Sequence, residues 1–233
     1  MIRGILTLAI LLSCAPLGAH DFWLEPSTFR PAPGTVVTMS LRVGENFEGE
    51  RVTRRSARIE TFIIRDAMGE RPVPGREGRD PAGLVRVDDA AVIGYHGKPH
   101  AHELSRAKFE QFLREEGLDQ VRIRGDRQRE RFHRFAKTQI GNAPTTLGFR
   151  YELVPVRDHV FRVLYEQQPL PNAYVTALSR NGRRLTARSD RNGEVTLNLG
   201  KGVWLLKSVH LLPAPEGADY DWDSLWASLT IEL

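Results

Sequence analysis

The residues best suited to metal chemistry stand at the start of the predicted folded chain, in the pair His20-Asp21. If an N-terminal leader is removed after Ala19, His20 becomes the first residue and offers two nitrogen ligands, its free α-amine and its imidazole. An α-amine has a pKa near ~7.7–8.0, so a metal ion can displace its proton at neutral pH. Asp21 can add a carboxylate ligand or orient the ring of His20. The pair therefore predicts a site for a transition-metal ion such as nickel, cobalt or copper.

Three more histidines are candidate metal ligands. His100 and His102 are two residues apart, which places both side chains on one face if the segment is a strand. His210 lies in an apolar, strand-like stretch and could converge with His20 from the other end of the chain. The alternatives are a surface segment rich in His and Lys around His100, and a hydrogen-bonded core histidine at His210.

An acidic segment near the C-terminus is a candidate site for a hard cation. Asp219, Asp221 and Asp223 alternate with aromatic residues, but their spacing is not that of an EF-hand loop. The alternative interpretation is an acidic loop that leads into a strand.

Motifs of the common enzyme classes are absent from the sequence. It contains no Gly-x-Ser-x-Gly, no His-Glu-x-x-His and no phosphate-binding glycine loop. The single cysteine, Cys14, lies in the leader, so the cleaved chain would have no thiol to act as nucleophile or ligand. We therefore predict that the protein is not an enzyme. A copper enzyme is a weaker alternative, because it would need a second histidine beside His20.

The first 19 residues have the pattern of a secretory signal. Arg3 precedes an apolar run over residues 5–12, which is about half the ~20 residues that span a bilayer. We expect cleavage after Ala19 and export to the periplasm. The residues up to Cys14 also resemble a lipobox, so lipidation of Cys14 is an open alternative.

Charge and hydropathy exclude two classes of partner. The chain carries 33 Lys and Arg residues against 29 Asp and Glu residues, and this mild excess is scattered without interleaved aromatic residues. We therefore do not expect nucleic-acid binding. No later apolar run is long enough to span a membrane, so we expect no transmembrane segment in the mature chain.

The pattern beyond the leader is mainly that of β-strands. Asn181-Gly182 between two strand-like runs indicates a hairpin, and residues 68–81 are predicted to be a loop. Strands are predicted over residues 36–43, 59–65, 84–87, 90–95, 146–153, 161–165, 173–179, 184–189, 194–198, 203–211 and 228–233.

Two helices are predicted between these strands. Ser105 can cap a helix that ends near residue 116, because Phe109, Phe112 and Leu113 share one face and Gly117 suits the position after the end. A second helix is predicted over residues 127–140, with Phe132, Phe135 and Ala136 on one face.

These elements predict a mainly β fold of two β-sandwich units of the Ig-like or transthyretin-like kind. A leader (residues 1–19) precedes an N-terminal β-sandwich (20–157) with a small helical insertion at about 105–140. A C-terminal transthyretin-like β-sandwich follows over residues 158–233.

Several stretches resemble the DUF4198 family of secreted bacterial proteins, some of which are described as periplasmic components of cobalt or nickel uptake. They are HDFWLEP at 20–26, IGY at 93–95, RFHRFAK at 131–137, WLLKSVH at 204–210 and WDSLWASLT at 222–230. The resemblance implies a periplasmic location and a link to metal uptake. The C-terminal part is also similar to carboxypeptidase-regulatory or transthyretin-like modules, which are usually not catalytic.

The leading hypothesis is a periplasmic protein that binds a transition-metal ion, with His20 as principal ligand and Asp21 and His210 as candidate partners. It would buffer the ion or pass it to a membrane uptake system. The alternative is a cell-envelope interaction module that binds protein or glycan without metal.

Overall fold

The computed structural model describes residues 20–142 and 146–233. The predictions on leader cleavage and on Cys14 lie outside these residues. Of these described residues, 55% lie in strands and 6% in helices, which confirms the predicted mainly β fold. In chain order the elements are β1 (Asp21–Pro26), β2 (Thr35–Glu45), β3 (Glu48–Val52), a 3-10 turn (Ser56–Arg58), β4 (Ile59–Asp66), β5 (Gly69–Pro72), β6 (Gly83–Val87), β7 (Ala91–Gly97), β8 (His100–Ser105), α1 (Arg106–Glu115), β9 (Arg127–Ile140), β10 (Tyr151–Arg157), β11 (Val160–Tyr165), β12 (Gln168–Pro169), β13 (Tyr174–Ser179), β14 (Arg184–Arg188), β15 (Glu194–Thr196), β16 (Val203–Pro213) and β17 (Trp222–Glu232).

One nine-stranded sheet forms the centre of the described chain. Its order is β14-β13-β16-β17-β9-β7-β4-β5, and β8 pairs with the first half of β9. The pairing of β17 with β9 is parallel, whereas the other pairings in this sheet are antiparallel. The sequence predicted a boundary between two units at residues 157 and 158, and the large sheet contains strands from both sides of that position.

Two four-stranded sheets cover opposite faces of the large sheet. The first contains β1, β2, β3 and β6, and the second contains β10, β11, β12 and β15. Strand β7 shows the division, because Ile93 packs in the core beneath the first small sheet while its neighbour Val92 packs in the core beneath the second. Successive strand side chains point to opposite faces, so each side of the large sheet has its own apolar core.

The helix predicted over residues 127–140 is wrong, because this segment is the 14-residue strand β9. Phe132 and Phe135 are both 3% exposed, but they lie on opposite faces of the strand. A strand that is covered on both faces can therefore show the same apolar spacing as a helix. What decides the structure is pairing on both edges, with β17 on one side and with β7 and β8 on the other.

The helix predicted after Ser105 is confirmed as α1 (Arg106–Glu115). Ser105 is the extended N-cap residue, although its side chain makes no capping hydrogen bond. Gly117 has a φ of +64°, the left-handed conformation that glycine adopts without steric cost. The helix packs Phe109, Phe112 and Leu113 onto the large sheet, against Val209 and its neighbours.

Candidate functional site

A cavity of about 600 Å³ lies beside the start of β1. We call it the His20 cavity. The turn after β2, helix α1 and strand β16 form its other walls. Its polar lining consists of His20, Asp21, Glu45, Asn46, Lys108, Gln111, Glu115, Glu116, Arg184 and Lys207.

The pairing of β1 with β2 places His20 beside Glu45. Asp21 is paired with Gly44, so the residues just outside this pair are neighbours in space. Nδ1 of His20 lies 3.3 Å from Oε1 of Glu45, but the two atoms are not aligned as a hydrogen bond. The His20 side chain is 25% exposed and that of Glu45 66% exposed, whereas the Nδ1 atom of His20 is itself buried and has no hydrogen-bond partner among the described residues.

Lys207 holds the start of β1 against helix α1. Its Nζ donates to Oδ1 of Asp21 at 2.6 Å and to Oε1 of Glu116 at 2.7 Å. Burial disfavours the charged amine, but the two carboxylates outweigh this effect and raise the pKa of Lys207. Burial also raises the pKa of Glu116, with Lys207 opposing the shift. Asp21 is therefore a partner in a buried ion pair.

His210 lies on the opposite face of the large sheet from His20. On β16, Lys207 faces the His20 cavity, whereas His210 packs against Tyr165 and Tyr151 with ring centroids 4.7 and 5.7 Å away. Burial lowers the pKa of His210, which favours its neutral form. The structure thus does not bring His210 and His20 together.

His100 and His102 share one face of β8 and also lie outside the His20 cavity. Both rings pack on Phe132, with centroids 3.9 and 5.1 Å away. Nε2 of His102 lies 3.4 Å from Oε2 of the buried Glu130. Burial lowers the pKa of both histidines, and burial raises the pKa of Glu130 to about 7.

Asp223 is surrounded by basic groups. Its carboxylate accepts from Arg131 at 3.0 Å and from Arg150 at 3.1 Å, and His133 lies 3.0 Å away. Burial opposes its ionisation, but these hydrogen bonds keep its pKa below the ordinary value. The negative charge of Asp223 is already balanced, so this residue is poorly suited to a hard cation.

The described residues do not contain a ready-made group of three or more His, Cys, Asp or Glu ligands. In the His20 cavity, the His20 ring and the Glu45 carboxylate are the two adjacent groups that fit a transition metal, since imidazole and carboxylate are ordinary ligands. Further ligands would come from solvent or from the α-amine of a chain that begins at His20.

The cavity residues that sequence reasoning missed include Glu45, Glu116 and Lys207. The signal for Lys207 was present, because a lysine interrupts the largely apolar stretch of residues 203–211. A cation at such a position indicates a buried carboxylate partner. The sequence did not indicate which carboxylates these would be.

The fold and the cavity define a mainly β protein that has one large central sheet and a ligand-sized cavity beside strand β1. A family model described as "Domain of unknown function (DUF4198)" matches residues 17–211, and the chain belongs to this family. No curated protein matches the chain.

Within residues 20–142 and 146–233, no helix is long and apolar enough to cross a membrane. The similarity of the C-terminal part to transthyretin-like modules stays a prediction.

Proposed function

We propose that the protein binds a divalent transition-metal ion, nickel, cobalt or copper, at the mouth of the His20 cavity. The observation that carries this proposal is the 3.3 Å separation between Nδ1 of His20 and Oε1 of Glu45, two residues that line the cavity, together with the absence of a hydrogen-bond partner for the buried Nδ1 among the described residues. His20 supplies the imidazole and, after cleavage behind Ala19, the α-amine. Glu45 supplies a carboxylate.

The charge of the cavity supports a cation at this end. Four carboxylates line it, and two of them, Asp21 and Glu116, share the single cation Lys207. Glu45 lies beside His20, whereas Glu115 shares helix α1 with Lys108, and Arg184 lies on β14. A carboxylate that already binds a buried lysine is better placed to hold β1 in position than to ligate, so we assign Asp21 this positioning role.

In the cell, such a protein would act after export to the periplasm, where it would buffer the ion or pass it to a membrane uptake system. Its mechanism is binding and release without a covalent step. Protons compete with the metal for the nitrogen ligands, so the affinity falls as the pH falls.

The test is calorimetric titration of a protein that begins at His20 with Ni²⁺, Co²⁺ and Cu²⁺. Two altered forms separate the ligands: His20→Ala removes the ring, and one glycine added before His20 displaces the α-amine but keeps the ring. His159→Asn, in the turn between β10 and β11, is the matched control, because asparagine tolerates the φ of +60° at that position.

We expect binding to be at least tenfold weaker in both altered forms, a loss of about 1.4 kcal/mol or more, and unchanged in His159→Asn. Equal affinity in all four proteins contradicts the proposal. If none of the three ions binds the unaltered protein, the result favours the alternative, a metal-free interaction module of the cell envelope.

A further inference from the structure

A second cavity lies between the first small sheet and the large sheet, and its charge is opposite to that of a cation site. It has a volume of about 80 Å³ and opens beside the 3-10 turn (Ser56–Arg58). We call it the arginine pocket. Its cationic side chains are Arg55, Arg58, Lys98 and Arg134, and none of its lining residues is Asp or Glu.

The deepest of these cations is Arg134, which lies among aromatic rings. Its guanidinium carbon is 5.3 Å from the ring centroid of Phe22 and 5.1 Å from that of Phe132. One of its amino groups donates to the carbonyl of His20 at 3.4 Å, which fixes the side chain at the boundary of the pocket. Burial lowers the pKa of Arg134 to about 10, so the side chain remains charged at neutral pH.

Arg58 and Lys98 lie at the rim of the pocket, and the backbone segments that carry them are hydrogen-bonded to each other. The backbone amide of Lys98 donates to the carbonyl of Arg58 at 2.9 Å. The hydroxyl of Tyr95 donates to the same carbonyl at 3.4 Å. The side chains of Arg58 and Lys98 are exposed, so the rim presents positive charge to solvent. Positive charge of this density, without a lining carboxylate, attracts anions.

The floor of the arginine pocket is apolar. Tyr95 and Phe132 are 6% and 3% exposed, and the ring of Phe22 lies 5.0 Å from that of Tyr95. Leu41 and Val43 of β2 complete this floor. A ligand that fills the pocket therefore needs an apolar body as well as a negative charge.

The volume limits the size of that ligand. One water molecule needs roughly 10–15 Å³ of such space, so the pocket has room for about five to eight heavy atoms. A nucleotide or a peptide is too large, and an inorganic anion would leave the aromatic floor without a partner. We propose that the arginine pocket binds a small organic monocarboxylate, with the carboxylate at Arg58, Lys98 and Arg134 and its apolar body against Phe22, Tyr95 and Phe132.

The proposal is tested by titrating the metal-free protein with butyrate and with pentanoate at pH 7 and constant ionic strength, with phosphate and chloride as comparison anions. Binding is followed by calorimetry and by the amide resonances of Gly97 and Lys98 in two-dimensional NMR spectra. Arg58→Gln and Lys98→Gln remove one rim charge each from exposed side chains. Arg191→Gln, which removes an exposed charge in the loop between β14 and β15, is the matched control.

We expect saturable binding of at least one carboxylate, with shifts centred on Gly97 and Lys98. The affinity should fall at least fivefold in Arg58→Gln and in Lys98→Gln and stay unchanged in Arg191→Gln. The proposal is overturned if neither carboxylate saturates, if phosphate binds as tightly, or if all three variants weaken binding equally. These outcomes do not depend on whether metal binds at His20, because the titration contains none.

Discussion

Lys207 and Asp21 are 186 positions apart in the sequence, yet their side chains form a buried ion pair with 2.6 Å between Nζ and Oδ1. The same amine binds Glu116 at the end of α1. This cation therefore joins the first strand, the helix and the large sheet at the wall of the His20 cavity. The position of His20, one residue before Asp21, depends on that junction.

We predict that Lys207→Met destabilises the protein by about 3–5 kcal/mol, because two buried carboxylates lose the cation that they share. Urea unfolding at pH 7 measures the change. The loss should shrink at acid pH, where protonation removes the repulsion between the carboxylates. Lys201→Met, at an exposed position before the same strand, is the control and should change stability by less than ~0.5 kcal/mol. A similar effect of both substitutions would contradict the structural role assigned to Lys207.

We predict that Glu45→Gln weakens binding of Ni²⁺ or Cu²⁺ about tenfold without changing the unfolding midpoint, because the carboxylate is exposed and lies beside the His20 ring. Calorimetric titration measures the affinity. Glu48→Gln is the matched control, since Glu48 is paired with Glu45 in the same hairpin but does not line the cavity. An identical affinity in the two variants would remove Glu45 from the proposed site.

We predict that burial of Glu130 makes the protein less stable as the pH rises. Its carboxyl is 1% exposed, and burial raises its pKa from 4.5 to about 7. Between these two pH values the folded state holds a proton that the unfolded state has lost, so this group lowers the free energy of unfolding as the pH rises. From pH 4.5 to 7.5 the wild type should lose roughly 2–4 kcal/mol relative to Glu130→Gln.

Urea unfolding of both proteins at four pH values measures this difference. Glu103→Gln, on the adjacent strand β8 and exposed, is the control and should follow the wild type at each pH. A constant difference between wild type and Glu130→Gln would show that the carboxyl ionises alike in both states.

A comparison of Gly117 with Gly182 separates two costs of adding a side chain, backbone strain at positive φ and a steric clash. At φ +64° any Cβ is strained, and here it would lie 2.5 Å from Cγ of Tyr174. Gly182 has a similar φ of +80° but nothing within 4 Å of the added atom. We expect Gly182→Ala to cost about 1 kcal/mol, and Gly117→Ala about 3 kcal/mol, because it adds a steric clash to the strain. Thermal and urea unfolding of the two variants compare them directly. Equal losses would mean that Tyr174 moves aside freely.

The elements that could be predicted from the sequence are those whose stability comes from neighbouring residues. Helix α1 has its apolar face, its N-cap at Ser105 and its glycine at position 117 within 13 consecutive residues. The hairpin between β13 and β14 is marked by Asn181-Gly182 in the same way. Strand β9 was mistaken for a helix because its local pattern of Phe132, Phe135 and Ala136 fits both structures.

His20 was identified as a candidate ligand from the sequence alone, because its position behind a predicted leader is a property of the linear chain. The sequence also determined the mainly β composition through its short alternating runs. Only the tertiary structure decided that Glu45 faces His20, that Lys207 binds Asp21, and that His210 lies on the other face of the sheet. Each of these contacts depends on strand register and on which face a side chain occupies. Both are set by hydrogen bonds and packing between residues that are distant in the sequence, so no local pattern encodes them.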